Sequence, residues 1–300
     1  MGNVVVLGVF VADTAYRADR MPRMGETVLG NSFSLGPGGK GSNQAVAAGR
    51  LGADVAMISR LGQDDFAEMA LKTWKAAGVT PYVTQSPDDY TGAAYIFIEH
   101  ATGDNAIIIA PGAAANISAQ DLEDHADLIA AADVFVTQLE QPLGAAQRGL
   151  ELAKAAGVTT ILNPAPAVEL PAEMLALCDY VTPNETETEI ITGLPVTNEA
   201  EAAQAAAALH QMGVKTPIIT LGEKGAYLHG HGLIPAFSVG EVVETTGAGD
   251  AFNGGFAAAL SEGFTPVEAV RIGSATAGIS VTRAGTAPAM PSRAEVDALL

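Results

Sequence analysis

The chain has 300 residues, enough for one large domain or two smaller ones. It is 48% hydrophobic but only 5% aromatic, so any core must be aliphatic. Its 15 Lys and Arg stand against 34 Asp and Glu, and the net charge of -19 argues against binding nucleic acid or an anionic membrane surface.

The first apolar run, Val4 to Phe10, is short, lacks a basic leader and ends before Asp13. It reads as a strand buried on both faces, not as a signal peptide. Residues 26–36 alternate and are bounded by glycine, the pattern of a strand exposed on one side. "SNQAVAAGRLG" (42–52) reads as an Ala-rich helix stopped by Gly52. A strand over 54–62 and a helix over 64–79 follow, the helix with an acidic start that suits its dipole. From Thr91, two apolar strands flank a Gly-Asp turn and predict a hairpin. With residues 14–36 it forms a small sheet over about 14–36 and 91–110, separate from the main one.

Beyond it, strands and helices alternate strictly. "ADVFVTQLE", "VTTILNPAP", "CDYVTPNE", "KTPIITLG" and "GAYLHG" read as strands. "PLGAAQRGLELAKAAG" and "TNEAEAAQAAAALHQMG" read as helices, as do residues 248–262, 265–281 and 292–299. Such alternation predicts a doubly wound, mostly parallel sheet with helices on both faces. No stretch is long and apolar enough to span a membrane, so no membrane contact is expected. The single cysteine, Cys178, allows no intrachain disulfide or Cys-rich metal cluster, which fits a reducing cytoplasm.

In open α/β sheets ligands bind beyond the carboxyl ends of the strands. Asp13, Glu140, Asn163, Asn184, Glu187, Thr220 and Gly222 fall at such ends. So does "ETTGAGDAFNGG" (244–255), the most informative segment. Gly247 and Gly249 permit tight turns, and a helix begins with Asp250 in its first turn. The backbone N–H groups and the positive helix end form an anion site. A carboxylate there makes sense if it faces a hydroxyl while the amides face a phosphate. Asp250 then takes the hydroxyl proton, and the amides stabilise the transferring phosphoryl group. Read alone, Gly-Ala-Gly-Asp is more often a plain helix start with a helpful acid.

The segment does not stand alone. "GGKGSNQAVAAGRLGADVAMISRLGQD", "NPAPA", "TPNETE", "ITLGEKGAY", "TTGAGDAFNGGFAAAL" and "VTRAGTAP" occur in order along nearly the whole chain. Together they resemble the PfkB family of carbohydrate kinases. The resemblance implies a ribokinase-like α/β domain over 1–300 with a β-sheet lid, and an ATP-dependent sugar kinase acting on the primary hydroxyl of a pentose, D-ribose foremost. Asp250 is then the base, with Gly247, Ala248 and Gly249 as the anion hole. Asp13, Gly38, Gly39, Lys40, Asn43 and Glu140 hold the sugar. Asn184, Thr220, Gly222, Gly225, Gly249 and Ser274 fall where the family binds nucleotide, and Glu187 with Asn184 is tied to Mg²⁺ and phosphate. A monovalent-cation site for K⁺ would use Glu244, where the family usually has Asp, and the carbonyls of Thr246, Ser280, Arg283 and Gly285. A homodimer joined through the lids is implied as well.

One position departs from the family pattern. Val11 stands where its ribose-specific members carry a sugar-contacting Asn. An apolar residue relaxes the demand for a hydroxyl, which opens the way to 2-deoxyribose or a nucleoside. Two other classes compete. A Rossmann oxidoreductase lacks support, because no G-x-G-x-x-G follows the first strand. A non-catalytic sugar-binding regulator sits poorly with an intact Gly-Ala-Gly-Asp. "SLGPGGKGSNQA" (34–45) is not a Walker loop, since Lys40 is followed by Gly41. It instead presents Gly39, Lys40 and Asn43 to the acceptor. The two histidines of "YLHGHG" (227–232) read as a hairpin tip and not a metal pair, and Trp74 reads as core.

Overall fold

The computed structural model describes residues 2–300. Among the described residues, thirteen strands build two sheets. They are β1 Asn3–Leu7, β2 Val11–Ala18, β3 Ser32–Gly38, β4 Asp54–Leu61, β5 Val79–Gln85, β6 Thr91–Glu99 and β7 Asn105–Gly112. The second half supplies β8 Val134–Thr137, β9 Thr159–Leu162, β10 Tyr180–Val181, β11 Thr216–Thr220, β12 Ala226–Leu228 and β13 Gly232–Ile234. The main sheet runs β13-β12-β11-β10-β9-β8-β1-β4-β5. All its pairings are parallel except β11 with β12 and β12 with β13.

The valine run explains why β1 lies inside. Val4 pairs with Val55 on one side and Val134 on the other. Alternate residues feed opposite faces of a pleated strand. Val4 and Val6 accordingly join the core cluster with Trp74 and Phe256, while Val5 and Leu7 join that with Phe135 and Leu150. Both faces are dry, as a parallel sheet covered by helices requires. Trp74 is fully buried and donates Nε1–H to Ser42 Oγ at 2.9 Å.

The small sheet, β3-β2-β6-β7, is built from the segments expected, with different bounds. The 26–36 strand runs later, as Ser32–Gly38, and the 91–110 hairpin turns at Gly103, whose φ of 80° suits glycine. The apolar run beginning at Val4 also crosses from one sheet to the other. It breaks after Leu7, and Val11 and Asp13 lie in β2 of the small sheet, not in a turn after the first main strand. The pause has a steric cause: Gly8 and Gly41 pack backbone to backbone, and a Cβ on Gly41 would lie 2.6 Å from Gly8 Cα. Strand β5 was not foreseen, because its edge sequence VTPYVTQ is mostly polar and exposed. The helix before it stops at Ala76, and "YLHGHG" forms the β12–β13 turn, where His229 stacks on His210 with ring centroids 4.8 Å apart.

Helix starts follow their caps. Thr265 and Glu268 form a capping box, with proline in the first turn, for Pro266–Ser280, and Asp64 accepts from Ala67 N to begin Asp65–Ala76. No described helix is long and apolar enough to cross a membrane.

Candidate active site

Strands β1, β8, β9, β10 and β11 end along one rim of the main sheet, and the helix Ala248–Ser261 starts there. Gly247 begins that helix at φ 81°, a left-handed conformation that L side chains rarely adopt. This turn puts Asp250, 6% exposed, at the floor of a cavity of about 150 Å³. Lys40, Asn184, Glu187, Thr220, Gly247 and Gly249 share its wall.

A second helix meets the first here. Lys40–Arg50 begins after Gly39, whose φ is 89°. It has no side-chain cap of its own. Its first amide, Lys40 N–H, donates instead to Glu140 Oε2 at 2.8 Å, a carboxylate brought from the end of β8. This helix crosses Ala248–Ser261 at very close range, because Gly254 faces it. A Cβ at Gly254 would lie 2.5 Å from both Gln44 O and Ala47 Cβ. The close crossing carries two amides onto the Asp250 carboxylate. Asn43 Nδ2 donates to Oδ2 at 2.9 Å and Gln44 Nε2 to Oδ1 at 3.1 Å. Asn43 Oδ1 is buried without a hydrogen-bond partner. A bound hydroxyl would satisfy it, since a buried polar atom left unpaired is costly.

Glycine spacing shapes the acceptor side. A Cβ at Gly38 would sit 2.2 Å from Asp13 Oδ2, and one at Gly39 would sit 2.5 Å from Val9 O. Asp13 thus occupies the space that Gly38 leaves open. Val11, two residues back on the same face of β2, is 5% exposed and packs in the apolar cluster with Val9, Ala94 and Leu139.

The site gathers several carboxylates in little water. Burial pushes Asp250 above the usual carboxylate range, opposed by Lys40 and by the Asn43 and Gln44 donors. Burial raises Asp13 to about 6, with help from the charges of Asp250 and Glu244. Glu140 rises to about 7, again chiefly through burial, with Lys40 pulling it back. Glu187 is also raised by burial, against its hydrogen bond from Asn184 N. Lys40 is the one cation that acts on Asp250, Glu140 and Glu187 alike.

On the opposite wall, Asn184 and Glu187 cap the helix Glu185–Thr192 reciprocally. Asn184 N donates to Glu187 Oε2 at 2.9 Å and Glu187 N to Asn184 Oδ1 at 2.8 Å. Asn184 also bridges Thr220 at the end of β11. Gly222, at φ 55°, is exposed just beyond. Gly225 is buried, and a Cβ there would lie 2.1 Å from Ile234 O, so close contact with β13 already demands a glycine. Ser274 is 6% exposed inside the helix Pro266–Ser280. Gly222, Gly225 and Ser274 do not line the cavity, and of the residues expected at the sugar only Lys40 and Asp250 do.

The loop before Gly247 meets the end of the last long helix. Glu244 N donates to Val281 O, and Gly285 N donates to Glu244 Oε2 at 2.8 Å. One carboxylate oxygen of Glu244 is therefore spent on the backbone. The rest of the proposed donor set, the carbonyls of Thr246, Ser280, Arg283 and Gly285, is all oxygen and suits a hard cation. For Mg²⁺, no three His, Cys, Asp or Glu among the described residues are placed together to hold a metal ion. Glu187 on the cavity wall fits the usual arrangement of one or two carboxylates with substrate phosphates.

Sequence reasoning passed over Gln44, Gln138 and Asn253. Gln138 Nε2 donates to Gln44 Oε1 at 2.7 Å, and Gln44 Nε2 also reaches Asn163 Oδ1 at 3.0 Å. Thr182 Oγ donates to Asn253 Oδ1 at 2.7 Å. The available signal was an Asn-Gln pair inside an otherwise small and apolar helix.

A buried carboxylate at a glycine-flanked helix start, facing a cleft at the switch edge of a doubly wound sheet, suits phosphoryl transfer to an alcohol. The chain belongs to the pfkB family carbohydrate kinases, whose model matches residues 1–293. It is 40% identical to the ribokinase of Haemophilus influenzae, over 98% of this chain and 96% of that protein. It is 37% identical to the deoxyribokinase of Salmonella typhi, over 97% and 96%. Among solved structures it is similar to Arabidopsis thaliana ribokinase complexed with ribose and ATP, with a TM-score of 0.95, 32% identity and coverage of 100% and 99%. The chain is thus a phosphotransferase with an alcohol acceptor.

Proposed function

We propose that the enzyme transfers the γ-phosphoryl group of ATP to the primary hydroxyl of D-ribose, giving ribose 5-phosphate and ADP. The observation that carries this reading is Asp250, buried, hydrogen-bonded on both oxygens and set in the first turn of a helix behind Gly247. Asp250 accepts the hydroxyl proton as the oxygen attacks phosphorus. The new P–O bond forms as the bond to the ADP oxygen breaks, and the amides of residues 247–249 hold the charge on the phosphoryl oxygens. Asp13, Gly38, Gly39, Lys40, Asn43 and Glu140 receive the sugar. Asn184, Thr220 and Gly222 border the nucleotide. Glu187 holds Mg²⁺, which would neutralise phosphate charge when bound. The small sheet acts as a lid that excludes water from the transfer.

Two finer readings accompany it. The carbonyls around Glu244 bind K⁺, and initial rates in potassium, sodium and cation-poor buffer test this: equal rates exclude it. The exposed apolar residues of the small sheet, with Phe33 57% and Ile108 65% exposed, suit a second copy of this chain. Sedimentation that gives only a monomer at micromolar concentration overturns the dimer.

A specific observation favours a second substrate. Val11 is apolar and packed where a hydroxyl partner is expected, and a deoxyribokinase is among the relatives. ADP release with ribose, 2-deoxyribose and a nucleoside panel decides between them. Ribose with the highest specificity constant supports the primary reading. Preference for deoxyribose replaces ribose as the acceptor, and no turnover with any sugar overturns the kinase assignment.

A further inference from the structure

We infer that Gln44 and Gln138 form a buried amide relay that positions the Asp250 carboxylate. The inference rests on Asp250 being the base.

A carboxylate facing two amides can only accept, so Gln44 must present its NH₂ to Asp250 Oδ1. The same NH₂ group reaches Asn163 Oδ1. The Gln44 carbonyl oxygen is thereby turned the other way, where Gln138 Nε2 donates to it at 2.7 Å. Gln138 is in turn held in a tight space, since a Cβ on Gly8 or Gly41 would strike its Oε1 at 2.5 Å and 2.7 Å. Both glutamines are buried, 1% and 0% exposed. Gln138 Oε1 has no hydrogen-bond partner. The arrangement tolerates an unpaired acceptor there, and in exchange only one amide orientation is available to Gln44. Gln138 comes from the end of β8, Gln44 from the helix Lys40–Arg50 and Asp250 from Ala248–Ser261. The relay ties three elements to one carboxylate oxygen.

Asn43 holds the other oxygen, and its Oδ1 is left without a hydrogen-bond partner from the protein. Gln44 has no such free group, since its Nε2 and Oε1 are both engaged by Asp250, Asn163 and Gln138. It acts through Asp250, as a positioning residue. It fixes the carboxylate plane and stabilises the anion before substrate arrives, so that the lone pairs of Asp250 left unbonded face the attacking hydroxyl. The charged groups that also act on Asp250 or feel it are Lys40, Asp13, Glu140 and Glu187.

The test is pH-dependent steady-state kinetics with the preferred sugar and MgATP, on Gln44→Met, Gln138→Leu, the double variant and Asp250→Asn. Gln44→Met keeps volume and removes the donor. Loss of a donor to the anion disfavours the ionised form. The acidic limb of kcat should move to higher pH by about one unit, and kcat should fall about tenfold or more, while KM for sugar changes little. Gln138→Leu should move the limb the same way by less. The double variant should be no worse than Gln44→Met alone, because the two act in series. An unmoved limb and unchanged kcat in a folded Gln44→Met overturn the relay. If that variant does not fold, an unmoved limb in Gln138→Leu does so. Near-full turnover in Asp250→Asn overturns the base assignment itself, and inactive Asp250→Asn beside wild-type-like Gln44→Met overturns the relay only.

Discussion

Replacing Gly38 and Gly39 by alanine, one at a time, separates substrate placement from backbone strain. The two glycines are neighbours but are required for different reasons. At Gly38 the backbone suits any residue, and the nearest atoms to the added Cβ are those of the Asp13 carboxylate, with Oδ2 at 2.2 Å. A carboxylate at the end of a short side chain can rotate away, so the fold should tolerate Gly38→Ala with little loss of stability. The displaced Asp13 then loses its place against the acceptor. A hydrogen bond to a charged group contributes about 1.5–3 kcal/mol, so kcat/KM for sugar should fall roughly 10- to 150-fold. At Gly39 the φ of 89° itself resists alanine, and the Cβ would strike Val9 O, a backbone atom that cannot rotate aside, at 2.5 Å. Left-handed backbone costs about 1–2 kcal/mol before the clash is counted, so Tm should drop by at least about 1.5–3 °C in a chain of 300 residues. The assay is steady-state kinetics with thermal melts on Gly38→Ala, Gly39→Ala, Asp13→Ala and Gly38→Ala/Asp13→Ala. The account requires that Gly38→Ala add nothing once Asp13 is gone. A full additional loss in the double variant, or equal loss of Tm at both glycines, would refute it.

Other outcomes follow from the same geometry. Asp13 and Glu140 have folded-state values raised to about 6 and about 7, above those of the unfolded chain. The unfolded chain ionises first, so this contribution is full below about pH 4 and is lost as pH rises through about 6 and about 7. The loss is about 3 kcal/mol for each group at most. Melts of the free protein should show Tm falling from pH 5 to pH 8, and Glu140→Gln should flatten the slope; a Tm that rises over that range contradicts the burial of these charges. Gly254→Ala should cost about 1–3 kcal/mol and lower kcat, because the helix bearing Asn43 and Gln44 must back away from Asp250; a melt and a kcat both unchanged would mean that the close helix crossing does not hold the amides in place.

Much of this fold is readable in the chain because burial writes directly into it. The valine run of β1 and the strand–helix alternation after residue 132 specify a parallel sheet, since both faces of each strand must be apolar. Asp250 is legible too, because glycines beside an acid at a helix start form a local pattern. Gln44 is not. It lies 206 positions from Asp250, and its role arises only where Gly254 lets two helices meet. Asp13 was placed at the carboxyl end of a main-sheet strand because hydrophobicity continues through Ala12, while the chain changes sheets at Gly8. Strand β5 escaped notice because an edge strand needs little apolar surface.

The central claim is that the Asp250 carboxylate takes the acceptor proton in phosphoryl transfer from ATP to a pentose. Single-turnover transfer from γ-labelled MgATP, comparing the wild-type protein with Asp250→Asn at saturating ribose, tests it most directly. The account predicts labelled ribose phosphate from the wild type and a rate lower by at least about 10²-fold in Asp250→Asn, with ribose and nucleotide still bound. Transfer by Asp250→Asn at near the wild-type rate would contradict it.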